Sequence, residues 1–490
     1  MYVIQVATEC APAAKVGGLA DVVYGLSREL EVRGHAVEII LPKYANMRYD
    51  QIQDLQVSYG DLWVPWYGGA IHCTVYFGFM HGLKCFFIEP HSADHFFERG
   101  TYYGYLDDHM RFAFFSKAAL EFMLKTGKRP EVIHCHDWQT GLLPTMLFEI
   151  YKYHGMEHPR VCYTIHNFKH QGIAGENILR ATGLGRPWYY FHPDRLQDDH
   201  NPTAINFMKA GIVYANFVTT VSPQHAWEAR HTDQGYGLGH VLYRHQNKFS
   251  GVLNGLDYNF WNPQTDPLIP HHYDYQDRSG KEGDKRALRD RLWLRDDHKP
   301  LIAYVGRLDW QKGVHLIRHG LFYALWNNAQ FVLLGSSPES GINDYFWHLK
   351  NYLNESPDCH LEIGFNEELA HLIYAGADML IVPSIYEPCG LAQMIALRYG
   401  TVPIVRGVGG LLDTVFDRDY SDKPFPERNG YVFYQDDYPA LESAMGRAIA
   451  LWHEEPGSFH ELAANGMACD YSWNKPGEYY LGIYDFIRDR

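Results

Sequence analysis

The chain has 490 residues, a formal net charge of −15 at pH 7 and an apolar fraction of 46%. This length is too great for one hydrophobic core, so it predicts two domains of about 200 residues or more. The acidic balance argues against nucleic acid and anionic membranes as partners, since both require a basic protein face.

The N-terminus and the cysteines indicate where the protein works. The chain begins with a strand pattern, Tyr2 to Val6, and lacks the basic region of a signal peptide. Its eight cysteines include no C-x-x-C pair, which is typical of reduced, buried thiols in an intracellular protein. We therefore expect a cytoplasmic protein, or a plastid protein if a transit peptide has been removed.

Strands and helices alternate through the first half of the chain. A helix is predicted from about Asp21 to the residue before Gly34, and another over 110–125. This βαβ alternation predicts an α/β fold with a parallel sheet that carries helices on both faces. The predicted strands are 3–7, 36–41, 71–79, 83–88, 132–136, 161–165 and 217–221.

The same alternation restarts near residue 300, so a second doubly wound domain is predicted. We assign residues 1–258 to the first domain, 259–284 to a polar hinge and linker, 285–474 to the second domain, and 475–490 to a final helix. A helix is predicted over 367–376. The predicted strands are 301–305, 331–334, 361–363, 379–382 and 402–405.

The loop after the first strand contains Lys15, Gly17 and Gly18 before a predicted helix. Glycines at a helix N-terminus let backbone N–H groups approach an anion, and Lys15 adds a mobile positive charge. A tight strand-to-helix turn explains the glycines equally well. The run from Gly235 to Gly239 lacks the spacing and the preceding strand of a dinucleotide fingerprint, so nothing favours a dehydrogenase.

Two cations, Arg307 and Lys312, lie in the loop after the first strand of the second domain. At the carboxyl edge of a sheet, such a pair can hold a diphosphate without a metal and stabilise the charge that develops on it. The alternative is an ordinary solvated surface loop.

A strand runs into the segment Glu387-Pro388-Cys389-Gly390-Leu391, which is followed by a predicted helix. Proline at a helix start removes no hydrogen bond, and glycine permits close backbone approach. The turn would present Glu387 to a ligand and the helix N-terminus to a phosphate. Glu387 could instead cap the helix, and Cys389 could serve packing alone.

Polar residues end two buried strands of the first domain, His134 to Trp138 and His166-Asn167. A zinc site is disfavoured, because strand alternation separates Cys135 from the flanking histidines and no second ligand pair follows at metal spacing. Recognition of sugar hydroxyls suits strand-end His, Asn and Asp better. We predict no metal.

These motifs, in their order, resemble those of the starch and glycogen synthases, which are retaining glucosyltransferases of the GT-B fold that use ADP-glucose. The resemblance covers nearly the whole chain and is strongest to cyanobacterial enzymes related to plant soluble starch synthases III and IV. It implies two Rossmann-like domains facing across a deep cleft, with the acceptor side in 1–258, the donor side in 285–474, and the last helix crossing back onto the first domain. The matching motifs are Lys15-x-Gly-Gly-Leu19, His136-Asp137-Trp138, His166-Asn167, Asn254-Gly255, Gly306-Arg307 through Lys312-Gly313, Glu387 through Leu391, and Gly409-Gly410-Leu411.

The resemblance also implies roles for individual residues. Arg307 and Lys312 would hold the diphosphate, while Glu387 would orient the glucosyl ring and offset positive charge at its anomeric carbon. Phe365 would lie against the adenine. Glucose hydroxyls would be contacted by His166, Asn254, Cys389 and Gly390. The remaining nucleotide-sugar contacts would come from Lys15, Gly17, Gly18, Leu391 and Ala392, and the acceptor side from Asp21, Asp137, Trp138 and Asn167.

The implied reaction transfers glucose from ADP-glucose to the non-reducing end of an α-1,4-glucan, without a cofactor. The acceptor O4 would attack from the face of the leaving group, a phosphate oxygen would take its proton, and domain closure would exclude water. Ala20, Ala392 and Val408 depart from the usual family residues. The alternatives are a GT-B enzyme that uses UDP-glucose, and a glucan-priming or glucan-binding scaffold with little turnover. The intact Arg307, Lys312 and Glu387 count against the scaffold.

Overall fold

The computed structural model describes residues 1–489, which form two compact units. The first unit comprises residues 1–255 and the chain from Trp473 onward, and the second comprises residues 256–472. The predicted linker over 259–284 differs from the structure, because these residues pack within the second unit. Tyr273 belongs to its core, and the linker's last residues already form the helix Ser279–Arg291.

The first unit is built on a nine-stranded sheet with the order β11-β10-β7-β6-β1-β2-β5-β4-β3. Seven of the strands pair in parallel, whereas β3 and β4 form an antiparallel extension next to β5. The predicted strand 71–79 forms as β4, but it is antiparallel to its neighbours rather than part of the parallel sheet. A separate pair joins β8 to β9. The strands are β1 Tyr2–Val6, β2 Ala36–Pro42, β3 Gln53–Trp66, β4 Gly69–Met80, β5 Leu83–Pro90, β6 Val132–His136, β7 Arg160–Ile165, β8 Ile173–Gly175, β9 Ala204–Asn206, β10 Phe217–Thr220 and β11 Phe249–Gly251.

Helices pack on this sheet through their apolar positions. The first begins at Gly18 rather than at the predicted Asp21, and it buries Val22, Leu26 and Leu30. The helices are α1 Gly18–Val32, α2 Asp108–Lys125, α3 Leu143–Glu149, α4 Asn177–Thr182, α5 Pro187–Tyr190, α6 Phe207–Tyr214, α7 Pro223–His231 and α8 Gly239–Arg244.

The second unit is built on a six-stranded sheet that is parallel throughout, with the order β14-β13-β12-β15-β16-β17. The predicted strands 301–305 and 379–382 and the predicted helix 367–376 are confirmed residue by residue. The strands are β12 Leu301–Val305, β13 Gln330–Gly335, β14 Cys359–Ile363, β15 Met379–Val382, β16 Val402–Arg406 and β17 Tyr431–Phe433. The helices are α9 Ser279–Arg291, α10 Val314–Trp326, α11 Ser340–Leu353, α12 Glu367–Gly376, α13 Ala392–Arg398, α14 Gly410–Thr414, α15 Tyr438–Glu454 and α16 Pro456–Ala468.

The last helix, α17 (Asn474–Arg488), belongs to the first unit. Its buried Tyr480 and Tyr484 pack with Val3 of β1 and with Val22 and Leu26 of α1. The chain therefore leaves the first unit after Gly255 and returns to it at Trp473.

Strand order brings the candidate residues of each unit together. In the first unit β1, β6 and β7 are neighbours, so the loops that follow them open at one edge of the sheet. In the second unit β12 and β15 are neighbours, which places the loop containing Lys312 beside the turn containing Glu387. These carboxyl edges are where open α/β sheets bind ligands.

Candidate functional site

In the first unit, the loop between β1 and α1 is organised by the buried carboxylate of Glu9. Glu9 Oε2 accepts hydrogen bonds from the backbone N–H groups of Val16 at 2.7 Å and Gly17 at 3.0 Å. The Gly17 N–H, predicted to face a ligand anion, thus donates to the chain's own carboxylate. Lys15 is half exposed and pairs with Asp21 at 2.7 Å.

Glu9 is held from its other side by Tyr103, whose hydroxyl donates to Glu9 Oε1 at 2.7 Å. Burial raises the pKa of Glu9 above its usual range, although the hydrogen bonds from Tyr103, Gly17 and Val16 oppose the shift. Three donors on one buried carboxylate fix the path of the loop. The only advance signal for Glu9 was an acidic residue shortly after a buried strand.

The strand-end histidines form a chain of hydrogen bonds in which His136 is buried and His166 is partly exposed. His136 Nδ1 lies 3.0 Å from His166 Nε2, and His136 Nε2 lies 2.8 Å from Gln5 Oε1. Burial lowers the pKa of His166 to about 3 and that of His136 well below its usual range, so both rings are neutral near pH 7. With the Gln5 amide oxygen as acceptor, His136 carries its proton on Nε2, His166 donates from Nε2, and His166 Nδ1 is left as an acceptor.

His134 makes a second set of contacts on the same strand. Its ring stacks on His136 with centroids 4.3 Å apart. Its Nδ1 lies 2.7 Å from the Tyr484 hydroxyl of α17, and its Nε2 lies 2.6 Å from Thr164 Oγ1. The final helix therefore contacts the strand that ends at the candidate site.

Asp137 adopts a left-handed backbone conformation, with φ of 56°, directly after β6. Its Oδ1 accepts the backbone N–H groups of His166 at 2.7 Å and Asn167 at 3.3 Å. Burial raises the pKa of Asp137 to about 7, and these hydrogen bonds oppose the rise. Asp137 thus joins the end of β6 to the end of β7 and fixes the backbone of His166.

Trp138 and Asn254 differ in what surrounds them. The Trp138 ring packs against Phe112 and Phe207, and a side chain on Gly172 would collide with it, so its face is largely engaged by the core. Asn254 is buried, and its Oδ1 has no hydrogen-bond partner among the described residues. An orphaned buried acceptor of this kind suits the hydroxyl of a bound sugar.

In the second unit, Lys312 and Glu387 form an ion pair with 2.5 Å between Nζ and Oε2. Ser384 Oγ donates to the same carboxylate oxygen at 2.8 Å. Glu387 and Ser384 are buried, whereas Lys312 is partly exposed. The pair places one cation and one carboxylate side by side at the carboxyl edge of the sheet.

The loop from Gly306 to Gly313 presents the two cations differently. The Lys312 backbone is held by Asp309, whose Oδ1 accepts the Lys312 N–H at 2.9 Å. The Arg307 side chain is 59% exposed and lies 3.2 Å from Asp309 Oδ2. Gly313 has φ of 73°, and a Cβ there would lie 2.2 Å from the Pro383 carbonyl oxygen. Glycine is therefore required where this loop meets the end of β15.

The turn from Glu387 to Leu391 rests on the loop before α14. Gly409 has φ of 46°, and a Cβ there would lie 2.0 Å from the Glu387 carbonyl oxygen. The Gly410 N–H donates to the Glu387 carbonyl at 3.2 Å. This packing explains why two adjacent glycines stand at that point, and it holds the backbone of Glu387 in place.

The other predicted donor-side residues lie close to this turn or in the next loop of the sheet. Cys389 is buried, Gly390 has φ of 78°, and Leu391 precedes α13, which begins at Ala392. Phe365, in the loop after β14, is 88% exposed. Its ring is therefore accessible to a ligand.

Sequence reasoning missed the residues that position others. Glu9 and Gln5 act on the first-unit loops, and Asp309 and Ser384 act on Lys312 and Glu387. Among residues 1–489, no group of three or more His, Cys, Asp or Glu side chains is arranged to hold a metal. Within the same range, no helix combines the length and apolar character needed to cross a membrane.

Comparison with known proteins follows the division of the chain. Residues 2–244 match the family model for the starch synthase catalytic domain, and residues 287–465 match that for glycosyl transferases group 1. A glycogen synthase 1 from Synechococcus sp. (strain JA-3-3Ab) is 68% identical over the full length of both chains. The chain belongs to the glycogen and starch synthase family. It is thus a glycosyltransferase, as the resemblance implied.

Further relatives agree with this membership. The synthase is 66% identical to glycogen synthase 1 from Trichormus variabilis, with 100% of this chain and 99% of the relative covered. The catalytic domain of starch synthase IV from Arabidopsis thaliana, solved with ADP and acarbose bound, superposes with a TM-score of 0.96 at 42% identity and covers 100% of this chain and 99% of its own. The predicted fold class, a two-domain α/β GT-B fold, is confirmed.

Proposed function

We propose that this synthase transfers glucose from ADP-glucose to the non-reducing end of an α-1,4-glucan and retains the anomeric configuration. The observation that carries the proposal is the Lys312–Glu387 ion pair, which lies in the loops of neighbouring strands with Arg307 nearby in the chain. The Arabidopsis structure, similar over the whole chain, is bound to ADP and acarbose. ADP is the nucleotide that the proposed donor would release.

On the donor side, Arg307 and Lys312 would bind the diphosphate. Arg307 is exposed and paired with Asp309, whereas Lys312 would be shared between the phosphate and Glu387. Fixed cations stabilise the negative charge that a departing nucleoside diphosphate develops. Further backbone N–H groups would come from Gly18, Leu391 and Ala392. Lys15, beside Gly17, would add a further cation, and Phe365 would cover the adenine.

On the sugar side, His166 and Asn254 would accept hydrogen bonds from glucose hydroxyls. His166 Nδ1 and Asn254 Oδ1 are the acceptor atoms that the internal hydrogen bonds leave over. Cys389 and Gly390 would contact the same sugar. Asp21, Asp137, Trp138 and Asn167 are proposed for the acceptor side, with Asp137 also fixing the His166 backbone.

In the proposed reaction the acceptor O4 forms a bond to the anomeric carbon on the face from which the diphosphate leaves. The proton of O4 passes to a phosphate oxygen of that leaving group, and Glu387 offsets the positive charge of the sugar. Positioning and charge stabilisation supply the acceleration. We place the reaction in the cytoplasm, or in a plastid if a transit peptide precedes the sequence.

Transfer of radiolabelled glucose to maltooligosaccharides tests the proposal when ADP-glucose and UDP-glucose are compared side by side. We expect faster transfer from ADP-glucose, and α-linked product by proton NMR. Preference for UDP-glucose would select the alternative donor, and a β-linked product would exclude retention. Binding of glycogen without transfer from either donor would indicate the scaffold instead.

A further inference from the structure

One face of α10 carries a row of aromatic rings that ends at the exposed Trp326. His315, His319, Phe322 and Trp326 recur at helical spacing along this face, and Tyr438 of α15 packs between the two histidines. Trp310, in the preceding loop, extends the row toward the N-terminal end of the helix. We call these six residues the α10 stripe.

Neighbouring rings of the α10 stripe contact one another. His319 and Tyr438 are stacked with centroids 4.0 Å apart and planes 4° from parallel. The centroids of Trp310 and His315 are 6.1 Å apart, and those of Phe322 and Trp326 are 6.0 Å apart with planes 27° from parallel. From His315 to Trp326 the helix rises about 16 Å, so the stripe is long enough for several consecutive sugar rings.

Three of the six rings, those of Trp310, Trp326 and Tyr438, lie outside the core, whereas Phe322 packs against it and the two histidines are half-buried. The opposite face of α10 fills it with Leu316, Ile317 and Leu321, all fully buried. Trp326, Trp310 and Tyr438 are instead 70%, 61% and 43% exposed. Three large aromatic side chains left in solvent along one row are typical of a binding surface rather than of packing.

Carboxylates border the α10 stripe and hold its histidines. Asp436 Oδ1 lies 2.8 Å from His315 Nε2, and Glu442 Oε1 lies 2.6 Å from His319 Nε2. Oxygen acceptors beside flat aromatic faces match a ligand that offers both C–H surfaces and hydroxyl groups. They do not match a polyanion, which the net charge of −15 also disfavours.

We propose that the α10 stripe is an auxiliary binding site for an α-1,4-glucan chain. The faces of successive glucosyl rings would lie on Trp326, Tyr438 and Trp310, and their hydroxyls would donate to Asp436 and Glu442. The identity of the polymer rests on the proposed function. A synthase that binds its polymer at a second place keeps chain ends at high local concentration.

Native electrophoresis through gels that contain glycogen, without any nucleotide-sugar, measures this binding. Trp326→Ala should raise the dissociation constant for glycogen about threefold to tenfold, the scale of one lost aromatic contact. Trp347→Ala is the matched control, because Trp347 is 43% exposed on α11 of the same unit and lies outside the stripe. It should migrate like the unchanged protein.

Initial rates provide the second readout. Trp326 stands at the opposite end of α10 from Lys312, so Trp326→Ala should leave the rate with saturating maltotetraose unchanged and lower the rate at scarce glycogen. Equal retardation of the Trp326→Ala, Trp347→Ala and unchanged proteins overturns the proposal. So does a change of oligomeric state in Trp326→Ala with unaltered retardation, which would assign the stripe to self-association. Trp326-dependent retardation in a protein that transfers no glucose would refute the proposed function and leave this site standing.

Discussion

Each unit has a cluster of polar side chains at the carboxyl edge of its sheet, and the two clusters are held by different kinds of interaction. In the first unit His136 and His166 are neutral, and Asp137 is bound to backbone N–H groups. In the second unit the central interaction joins a cation to a carboxylate, Lys312 to Glu387. On the proposed function, the first arrangement would fix the geometry for hydroxyl recognition before any ligand arrives. The second would keep charge in place for a phosphate and a developing positive centre.

The largest expected effect comes from breaking the charged cluster. Lys312→Ala should lower kcat about a hundredfold or more, equivalent to about 2.7 kcal/mol of barrier, because the proposed diphosphate contact and the partner of a buried carboxylate would be lost together. Steady-state kinetics with the preferred donor measure it. Lys350→Ala removes a comparable ion pair, with Glu362 at 3.1 Å, and should leave kcat unchanged. A Lys312→Ala protein with nearly full turnover would remove Lys312 from the mechanism.

The neutral histidines of the first unit should make the free energy of unfolding depend on pH. Burial lowers the pKa of His134 and His166 to about 3, against about 6.5 in an unfolded chain. The folded state therefore binds fewer protons below pH 6.5, and the free energy of unfolding should fall as pH drops, by up to about 1.4 kcal/mol per pH unit for each histidine. Urea unfolding between pH 7 and 5.5 measures the slope, which His134→Gln should reduce.

Asp137 provides a control, because its effect on the free energy of unfolding changes with pH in the opposite direction. Its pKa is raised to about 7, so the folded state gains a proton as pH falls through that value and is stabilised relative to the unfolded chain. Asp137→Asn removes this compensation and should steepen the loss of stability toward pH 5.5. A flatter profile in Asp137→Asn, or no change in His134→Gln, would contradict the account of neutral histidines beside a protonated carboxyl.

The smallest expected effect is on substrate binding and concerns Phe365, an exposed residue of the second unit. Phe365→Ala should raise KM for the nucleotide-sugar about threefold to tenfold with little change in kcat, because the proposed adenine stacking would be equal in the ground and transition states. Tyr352→Ala removes another exposed ring, at the end of α11, and should leave both constants unaltered. An unchanged KM in Phe365→Ala would exclude its contact with the adenine.

Sequence patterns located most of the buried parallel strands, because short runs of apolar residues bounded by turn residues are typical of such strands. Strand 132–136 and helix 367–376 were located residue by residue. The long strand β3 was missed, although Leu55, Val57 and Tyr59 alternate with polar residues, because its first half is largely polar and solvent-exposed and lacks a continuous apolar run. The start of α1 was placed too late because Gly18 is a poor helix former, and the preceding Gly17 offers no side-chain cap.

The sequence predicted which residues belong to the candidate site, but not which of them contact one another. Lys312 and Glu387 were each identified from their loops, but their pairing depends on the adjacency of β12 and β15. The His136–His166 contact likewise requires the register of β6 against β7. Glu9 and Asp309 act on backbone N–H groups of their own loops, and short acidic residues in loops carry no pattern that separates this role from simple exposure.

The placement of α17 has a consequence for how the protein is made. The first unit contains residues 1–255, but His134 meets Tyr484 only after the ribosome has translated the second unit as well. While more than 200 further residues are translated, the nascent first unit lacks α17. Its apolar face, formed by Val3, Val22 and Leu26, is uncovered during that time. The second unit is therefore fully translated before the first unit is complete, although translation of the first unit begins earlier.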